Sequence, residues 1–362
     1  MQPRICIITP TKNVIQYLDR FFQAINRINY PKDRIIWIFA DGESSDGTFE
    51  YLKNKKIKFR KVVITKRNST RPNTRNEAYS YILKKKISHD FIATVDADVL
   101  LYPEFFNKLL RHFDDKKVGM ASSYFMYTQN KFLKDYTDSY LGNKMGKVIS
   151  TGFCPTGCAI FRRGCYDFFD ETFECHEDGD LSISITEKGW SGIQDFTKTC
   201  SHIKNQTIKK EFKELCDMGY YEPLLWLKHP KYFWNKKTFL GSLYYILTAV
   251  SIPLFVLTLT GLLNKDFLFL MPVLIFLSIL THFHQIKNKS TLRRIVYSFF
   301  TTTRFITYFT AVIYRLVKLP FQRFKFRKVN IEKCTMAKQA ADMYDPEWNA
   351  ILEIQGTEID LK

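Results

Sequence analysis

Two apolar runs in the first hundred residues each end directly at an aspartate. Residues 35–40 lead into Asp41 and residues 91–95 lead into Asp96, with helical patterns between such runs. Alternating strands and helices favour a parallel, doubly wound sheet. Ligands of such sheets bind in the crevice beyond the carboxyl ends of the strands, so both aspartates are expected in one crevice. One Asp after a strand is more often a turn residue or a helix cap, and only the pair makes a site the better interpretation.

Acidic residues recur in three short segments of fixed order: DGESSDGT (41–48), DAD (96–98) and HEDGDL (176–181). In the second segment, Asp96 and Asp98 are two residues apart and project to the same side if the chain is extended there. Carboxylates of this kind suit Mg²⁺ or Mn²⁺, which commonly bind one or two carboxylates together with substrate phosphates. The third segment has a simpler interpretation as a solvated loop in which Asp178 caps a helix. Its place after the other two segments favours an active site instead.

Five segments of the chain carry a resemblance to the family-two glycosyltransferases, which have the GT-A fold. They are DGESSDGT (41–48), TRNEA (74–78), VDADVLLYPEF (95–105), CPTGCAIFRR (154–163) and HEDGDLSISITEKGW (176–190). The resemblance covers about the first 230 residues, and five motifs in order make it specific. It implies an α/β fold, in which a Rossmann-like GT-A domain binds a nucleotide sugar on a mostly parallel sheet. At Gly42 the chain departs from many relatives, which carry a second Asp there.

The same resemblance implies a nucleotide-diphosphate sugar as the donor. Asp41 would lie near the base or the ribose, and Thr9 and Arg75 would also bind the nucleotide sugar. Asp98 would hold the Mn²⁺ or Mg²⁺ that bridges the two phosphates. Asp96 would contact the metal, the ribose or the groups around them.

The third acidic segment would supply the base. Transfer of a sugar to a hydroxyl requires a group that takes the hydroxyl proton as the new bond forms, and a carboxylate within hydrogen-bond reach can do this. The resemblance assigns this role to Asp178, with Glu177 and His176 positioning the acceptor or the base. A direct displacement of this kind would invert the anomeric centre. The metal and cationic side chains would stabilise the leaving nucleotide diphosphate.

The composition becomes membrane-like after residue 205. Residues 208–234 mix lysines with aromatic and apolar residues, as an interfacial segment does, although a soluble acceptor-binding subdomain could use the same residues. Residues 239–263 contain no charged residue and predict a membrane span, and residues 267–283 predict a shorter one that forms a hairpin with it. Residues 295–317 carry Arg304 at their centre and either cross the bilayer or lie in its interface.

The predicted organisation has four parts: a GT-A catalytic domain (1–205), an interfacial linking segment (206–238), a membrane region (239–320) and a basic, then mixed-charge tail (321–362). The formal net charge is +18 and the pI is about 9.4. Because much of the positive excess flanks apolar segments and no nucleic-acid-binding motif accompanies it, membrane lipids are expected partners and nucleic acid is not. The lysines and arginines after the hairpin predict that the catalytic domain faces the cytoplasm.

The sequence therefore predicts a membrane-associated, inverting glycosyltransferase whose hydroxyl acceptor is a lipid-linked or surface glycan. A polyprenyl-phosphate sugar transferase is the first alternative, but its acceptor phosphate is already ionised and has less need of a base. A processive polysaccharide synthase is disfavoured because the sequence lacks the QxxRW signature. A non-catalytic membrane scaffold that retains the fold is the second alternative, since fold alone does not establish activity.

Overall fold

The computed structural model describes residues 2–65, 70–124, 126–127, 130–142, 144–197, 199–262, 269–286, 289–319 and 350–354. The chain divides into two compact units. The first comprises residues 1–128, 144–204 and 327–362, and the second comprises residues 129–143 and 205–326. The three acidic segments of the sequence all lie in the first unit.

Two β-sheets form the first unit. The strands in chain order are β1 (Ile5–Thr11), β2 (Ile35–Asp41), β3 (Arg60–Thr65), β4 (Phe91–Val95), β5 (Val99–Leu101), β6 (Val118–Ser123), β7 (Met126–Tyr127), β8 (Val148–Thr151), β9 (Cys158–Arg162), β10 (Ser191–Asp195), β11 (Cys200–His202) and β12 (Ala350–Ile354). The large sheet has the strand order β12-β3-β2-β1-β4-β9-β6-β10-β8. The small sheet has the order β5-β11-β7.

Most strands of the large sheet run in one direction. Strands β3, β2, β1 and β4 pair in parallel, and so do β6 and β10. Strand β9 runs antiparallel between β4 and β6, while β8 and β12 are antiparallel strands at the two edges. The predicted mostly parallel α/β sheet is thus confirmed. In the register of β1 and β2, Thr11 pairs with Asp41, so the carboxyl ends of these strands meet at one edge.

The described helices are divided between the two units. In chain order they are α1 (Ile15–Asn26), α2 (Thr48–Asn54), α3 (Arg71–Lys84), α4 (Phe105–Leu110), α5 (Lys131–Leu141), α6 (Glu177–Glu187), α7 (Ile208–Lys228), α8 (Pro230–Phe233), α9 (Lys236–Leu259), α10 (Leu270–Gln285) and α11 (Thr291–Lys318). Helices α1 to α4 and α6 belong to the first unit, and the others belong to the second. Helix α3 has Pro72 in its first turn, and the Thr70 side chain caps it by accepting a hydrogen bond from the backbone N–H of Asn73.

The core of the first unit lies on both faces of the large sheet. On β1, Ile5 and Ile7 belong to the cluster that includes α1, whereas Cys6 and Ile8 belong to the cluster that includes α3. Successive side chains of a strand point to opposite faces, so a strand covered on both sides is apolar at consecutive positions. The unbroken apolar runs in the sequence follow from this burial.

The second unit is helical, and α11 packs against α7, α9 and α10. Helix α7 lies close to α11 at Gly219, where an added Cβ would overlap the backbone carbonyl of Tyr308. Arg304, in the middle of α11, forms an ion pair with Glu211 of α7 at 2.6 Å and donates a hydrogen bond to the Tyr136 hydroxyl at 3.0 Å. The predicted interfacial segment 208–234 therefore contributes α7 to a helical core, and the central arginine of α11 is satisfied within that core.

No helix in the described part of the chain combines the length and the apolar character needed to cross a membrane. The predicted spans 239–263 and 267–283, which correspond to α9 and α10, are therefore not supported. Helix α10 has 16 residues and is about 24 Å long at 1.5 Å per residue, against a hydrocarbon layer of about 30 Å. Helix α9 interleaves its apolar residues with buried hydroxyl groups. The predicted turn at 264–266 lies outside the described residues.

Candidate active site

A cavity of about 540 Å³ opens at the carboxyl end of the parallel strands. Its walls come from the end of β1, the first turn of α3 and the turn that follows β4. The lining residues are Pro10, Thr11, Lys12, Val14, Thr70, Arg71, Thr74, Asp96, Ala97, Asp98 and Glu174. The cavity thus brings the DAD segment together with two cationic side chains, as a binding site for an anion and a metal ion requires.

The DAD segment forms a tight turn. The backbone N–H of Asp96 donates to the carbonyl of Gly157 at 2.9 Å, and the N–H of Val99 donates back to the carbonyl of Asp96 at 3.0 Å. The carbonyl of Asp98 accepts from the N–H of Ile203 at 2.9 Å. The chain is therefore not extended here, and the condition under which both carboxylates would point the same way is not met. Each carboxylate has its own partner.

Arg75 joins the second acidic segment to the third. Its side chain is 1% exposed, and its two terminal nitrogens contact Asp96 Oδ1 at 2.8 Å and Glu177 Oε1 at 2.9 Å. The guanidinium also lies over the ring of Phe169, 5.3 Å from the centroid. A planar guanidinium can serve two carboxylates at once because its donors are arranged in a rigid fork. Arg75 is not among the residues that line the cavity, and it holds two acidic segments together.

The arginine that lines the cavity is Arg71. Its side chain is 58% exposed, and Nη1 lies 3.6 Å from Glu177 Oε1. Burial opposes the ionisation of Asp96, but the charges of Arg75 and Arg71 outweigh it and lower the pKa of that carboxyl. Sequence reasoning missed Arg71. The available signal was its position four residues before Arg75, which places both arginines on one face of α3.

The HEDGDL segment begins α6 and carries backbone strain. His176 has a φ of 68°, a left-handed conformation that is uncommon for residues other than glycine. Glu177 is buried, which excludes the interpretation of this segment as a solvated loop. Burial and the neighbouring negative charge of Glu177 raise the pKa of Asp178 to about 6, and His176 and Arg75 partly oppose this rise. A carboxylate with this pKa is ionised at neutral pH and is a stronger base than an ordinary aspartate.

Asp41 and Thr9 organise the strand ends next to the cavity. The Asp41 carboxylate, which is buried, accepts hydrogen bonds from the Thr11 hydroxyl at 3.0 Å and from the backbone N–H and hydroxyl of Ser44 at 2.8 and 2.6 Å. Thr9 is fully buried, and its hydroxyl accepts from the indole N–H of Trp37 at 2.9 Å. Of these residues, Thr11 lines the cavity. Asp41 fixes the loop that leaves β2.

His202 is a site residue that sequence reasoning missed. Its Nε2 lies 3.1 Å from Asp98 Oδ2. Strand β11 pairs antiparallel with β5 so that His202 is opposite Val99, the residue after Asp98. The contact depends on pairing between two three-residue strands that lie about a hundred positions apart. No local pattern in the sequence predicts such a pairing.

Asp98 and His202 offer a carboxylate and an imidazole at the edge of the cavity. Across the residues that the structure describes, no three or more His, Cys, Asp or Glu side chains are grouped as a complete metal site. A divalent ion in a phosphate-binding site commonly takes only one or two protein carboxylates, and phosphate oxygens and water complete its shell. An added imidazole favours a transition metal such as Mn²⁺ over Mg²⁺. The residues therefore fit a metal ion that protein and substrate hold jointly.

The parallel strand ends, the DAD turn and the acidic start of α6 are typical of a GT-A-like α/β fold. Residues 6–169 match the family model described as Glycosyl transferase family 2. The resemblance drawn from the five sequence segments is thereby confirmed. A comparison with curated proteins gives no match.

Two solved structures are similar to this chain. One is the mannosyltransferase PcManGT from Pyrobaculum calidifontis in complex with GDP-Man and Mn²⁺, which is 15% identical, with 90% of this chain and 89% of that chain covered and a TM-score of 0.52. The other is TarS from S. aureus, which is 13% identical, with 60% of this chain and 39% of that chain covered and a TM-score of 0.42. The first shows that the GT-A-like fold extends to this chain.

Proposed function

We propose that the protein is a metal-dependent, inverting glycosyltransferase that moves a sugar from a nucleotide-diphosphate donor to a hydroxyl group. The observation that carries this proposal is the double contact of Arg75. It fixes Asp96, at the edge of the cavity, and Glu177, the neighbour of the candidate base, in one rigid unit. Donor binding and proton transfer need this proximity, since the sugar must lie between the leaving diphosphate and the attacking hydroxyl.

The cavity suits the diphosphate of the donor. Lys12 and Arg71 line it and provide positive charge, and Asp98 with His202 would hold the metal ion. A metal ion held there would supply Lewis-acid stabilisation of the diphosphate as the diphosphate leaves the sugar. The exposed guanidinium of Arg71 is free to reach a phosphate in bidentate fashion, which adds both charge and orientation. The GDP-Man and Mn²⁺ of the PcManGT complex are the first donor and metal to test.

Asp178 is the base in this proposal. The acceptor hydroxyl oxygen bonds to the anomeric carbon as the bond from that carbon to the diphosphate oxygen breaks, and the hydroxyl proton passes to the Asp178 carboxylate. The leaving group keeps the electron pair and departs as a nucleoside diphosphate. Attack opposite the leaving group inverts the anomeric configuration. The pKa of about 6 gives Asp178 both an ionised form at neutral pH and useful basicity.

A base of this kind favours a hydroxyl acceptor over an acceptor phosphate, which is already ionised. A lipid-linked glycan is the acceptor class that we propose, with a polyprenyl phosphate as the alternative. The excess of Lys and Arg in the second half of the chain would favour the anionic cytoplasmic leaflet of a membrane, and we place the catalytic unit on that side. A scaffold without activity would need neither a base with a raised pKa nor the pairing of Asp98 with His202.

Donor turnover by three variants tests this function. With GDP-Man or another nucleotide sugar and Mn²⁺, we expect Asp178→Asn and Asp98→Asn each to lose at least about a hundredfold in rate, in line with the loss of a general base or a metal ligand. Asp167→Asn is the matched control, because Asp167 pairs with Lys188 away from the cavity. Equal turnover by all three variants and the wild type would show that these residues are not the site. Inactivity of the wild type toward every donor, in folded protein, would favour the scaffold.

A further inference from the structure

The second unit buries polar side chains between its helices in addition to apolar ones. Between α10 and α11, the buried hydroxyls of Ser278 and Thr302 lie 3.1 Å apart in hydrogen-bond contact. Between α10 and α9, buried His282 Nε2 lies 3.0 Å from the Tyr245 hydroxyl. Helices of a water-soluble bundle bury apolar residues and expose polar ones. Here hydrogen bonds between polar side chains also join the helices, which is typical of helices that are surrounded by lipid.

The outward sides of the same helices are apolar. On α11 the exposed residues Leu292, Val296, Phe299, Tyr314 and Val317 recur at intervals that keep them on one side of the helix. We call this set the α11 stripe.

Helix α10 has a corresponding set. Its exposed residues are Val273, Phe276 and Leu280, together with Phe269 directly before its first residue, and they are three or four positions apart. We call this set the α10 stripe. It lies opposite to Ser278 and His282, the residues that α10 buries against its neighbours.

Exposure of large apolar side chains is confined almost entirely to the second unit. Among the described residues, the two exceptions are Val148 and Phe153 of the first unit. The largest apolar patch of an ordinary soluble monomer is a few hundred Å², and larger ones mark contact with another protein or with lipid. The first unit has the surface of a soluble protein, and the second does not.

Charged and amphipathic residues flank the stripes. Exposed Arg293 and Lys318 lie at the two ends of α11, and exposed Trp234 and Tyr232 lie just before α9. Between residues 205 and 326, Lys and Arg outnumber Asp and Glu by about three to one. Basic residues beside an apolar face, with Trp and Tyr at its border, are the pattern of helices that bind anionic lipid surfaces.

We propose that the α10 and α11 stripes bind the protein to the surface of a bilayer rich in anionic lipid. A second copy of the chain would bring an equally basic surface against this one, and like charges oppose such an association. Anionic head groups complement the basic residues, while acyl chains cover the stripes. This inference goes beyond the proposed transferase activity and does not depend on it, because every residue that carries it lies in the second unit.

Vesicle flotation tests the proposal with the full chain and three double variants, each of which replaces one Val and one Phe by Ser. Val296→Ser with Phe299→Ser removes part of the α11 stripe, and Val273→Ser with Phe276→Ser removes part of the α10 stripe. Val148→Ser with Phe153→Ser makes the same chemical change in the first unit. We expect the wild type and the first-unit variant to float with vesicles of phosphatidylcholine containing about 30% phosphatidylserine.

Each stripe variant is expected to lower the partition coefficient about tenfold or more, since it removes two apolar side chains from the surface that acyl chains would cover. Pure phosphatidylcholine or high salt should weaken the binding of the wild type, because both remove the electrostatic part. Far-UV circular dichroism checks that the variants are folded. Failure of the folded wild type to float, or an equal loss in the first-unit variant, would overturn the proposal. A discrete dimer that does not float, and that the stripe variants dissociate, would assign the stripes to a second copy.

Discussion

Removing the charge of Glu177 should shift the pH dependence of the reaction toward acid. In Glu177→Gln, the amide oxygen can still accept from Arg75, so the 2.9 Å contact is retained while the negative charge beside Asp178 is lost. Burial is the larger cause of the raised pKa of Asp178, which is about 6 against an ordinary 3.8, and the charge of Glu177 is the second. Glu177 is thus the smaller of the two raising causes, and its removal should lower the pKa of Asp178 by an amount on the order of one pH unit.

The assay is the pH profile of kcat/KM for sugar transfer between about pH 4.5 and 8.5. In the wild type, activity should fall on the acid side as Asp178 becomes protonated near pH 6. The variant should retain activity about one pH unit lower, with a somewhat reduced maximum because its base is weaker. An acidic limb that stays in place or moves toward higher pH would refute the assignment of Asp178 as the base, since no other group in this account predicts that shift. Asp167→Asn should leave the limb unchanged, because Asp167 pairs with Lys188.

Three further predictions concern stability. Because the pKa of Asp178 is raised in the folded state, that state binds the proton more tightly than the unfolded state does, and stability falls as pH rises from about 4 to 6. Asp178→Asn should therefore raise the free energy of unfolding by about 1–3 kcal/mol at pH 7.5 and by much less at pH 4.5. Denaturant titrations at both pH values would measure the difference. Arg75→Lys replaces a guanidinium that contacts two carboxylates with a point charge. It should lower the free energy of unfolding by about 1–3 kcal/mol and reduce sugar transfer. Stability equal to that of the wild type would contradict the role of Arg75 as the link between the acidic segments. Gly219→Ala should force α7 away from the backbone of α11 and lower the thermal midpoint, with a loss of about 1–3 kcal/mol in the free energy of unfolding. An unchanged midpoint would contradict that packing.

The catalytic fold was predictable because its signals are local. The apolar runs that end at Asp41 and Asp96 correspond to β2 and β4, and Pro72 marks the start of α3. Strands buried on both faces leave unbroken apolar runs in a sequence, so these strands and the mostly parallel sheet were predictable from periodicity and alternation.

Contacts between distant strands and helices could not be predicted in this way. His202 reaches Asp98 only through the pairing of β5 with β11, and Arg75 reaches Glu177 across 102 positions. Both contacts depend on tertiary packing, which leaves no periodic trace in the sequence. The predicted spans are not supported among the described helices. In α10, Ser278 and His282 face the neighbouring helices.

The central claim is that the cavity next to the DAD turn binds a nucleotide-diphosphate sugar together with a metal ion. Thermal unfolding in the presence of GDP-, UDP- and dTDP-sugars, each with and without Mn²⁺, measures this directly, because a ligand selective for the folded state raises its stability by mass action. The account predicts a Mn²⁺-dependent rise in the unfolding midpoint with one nucleotide class. That rise should be lost in Asp98→Asn and kept in Asp167→Asn. No rise with any donor, or an undiminished rise in Asp98→Asn, would contradict it.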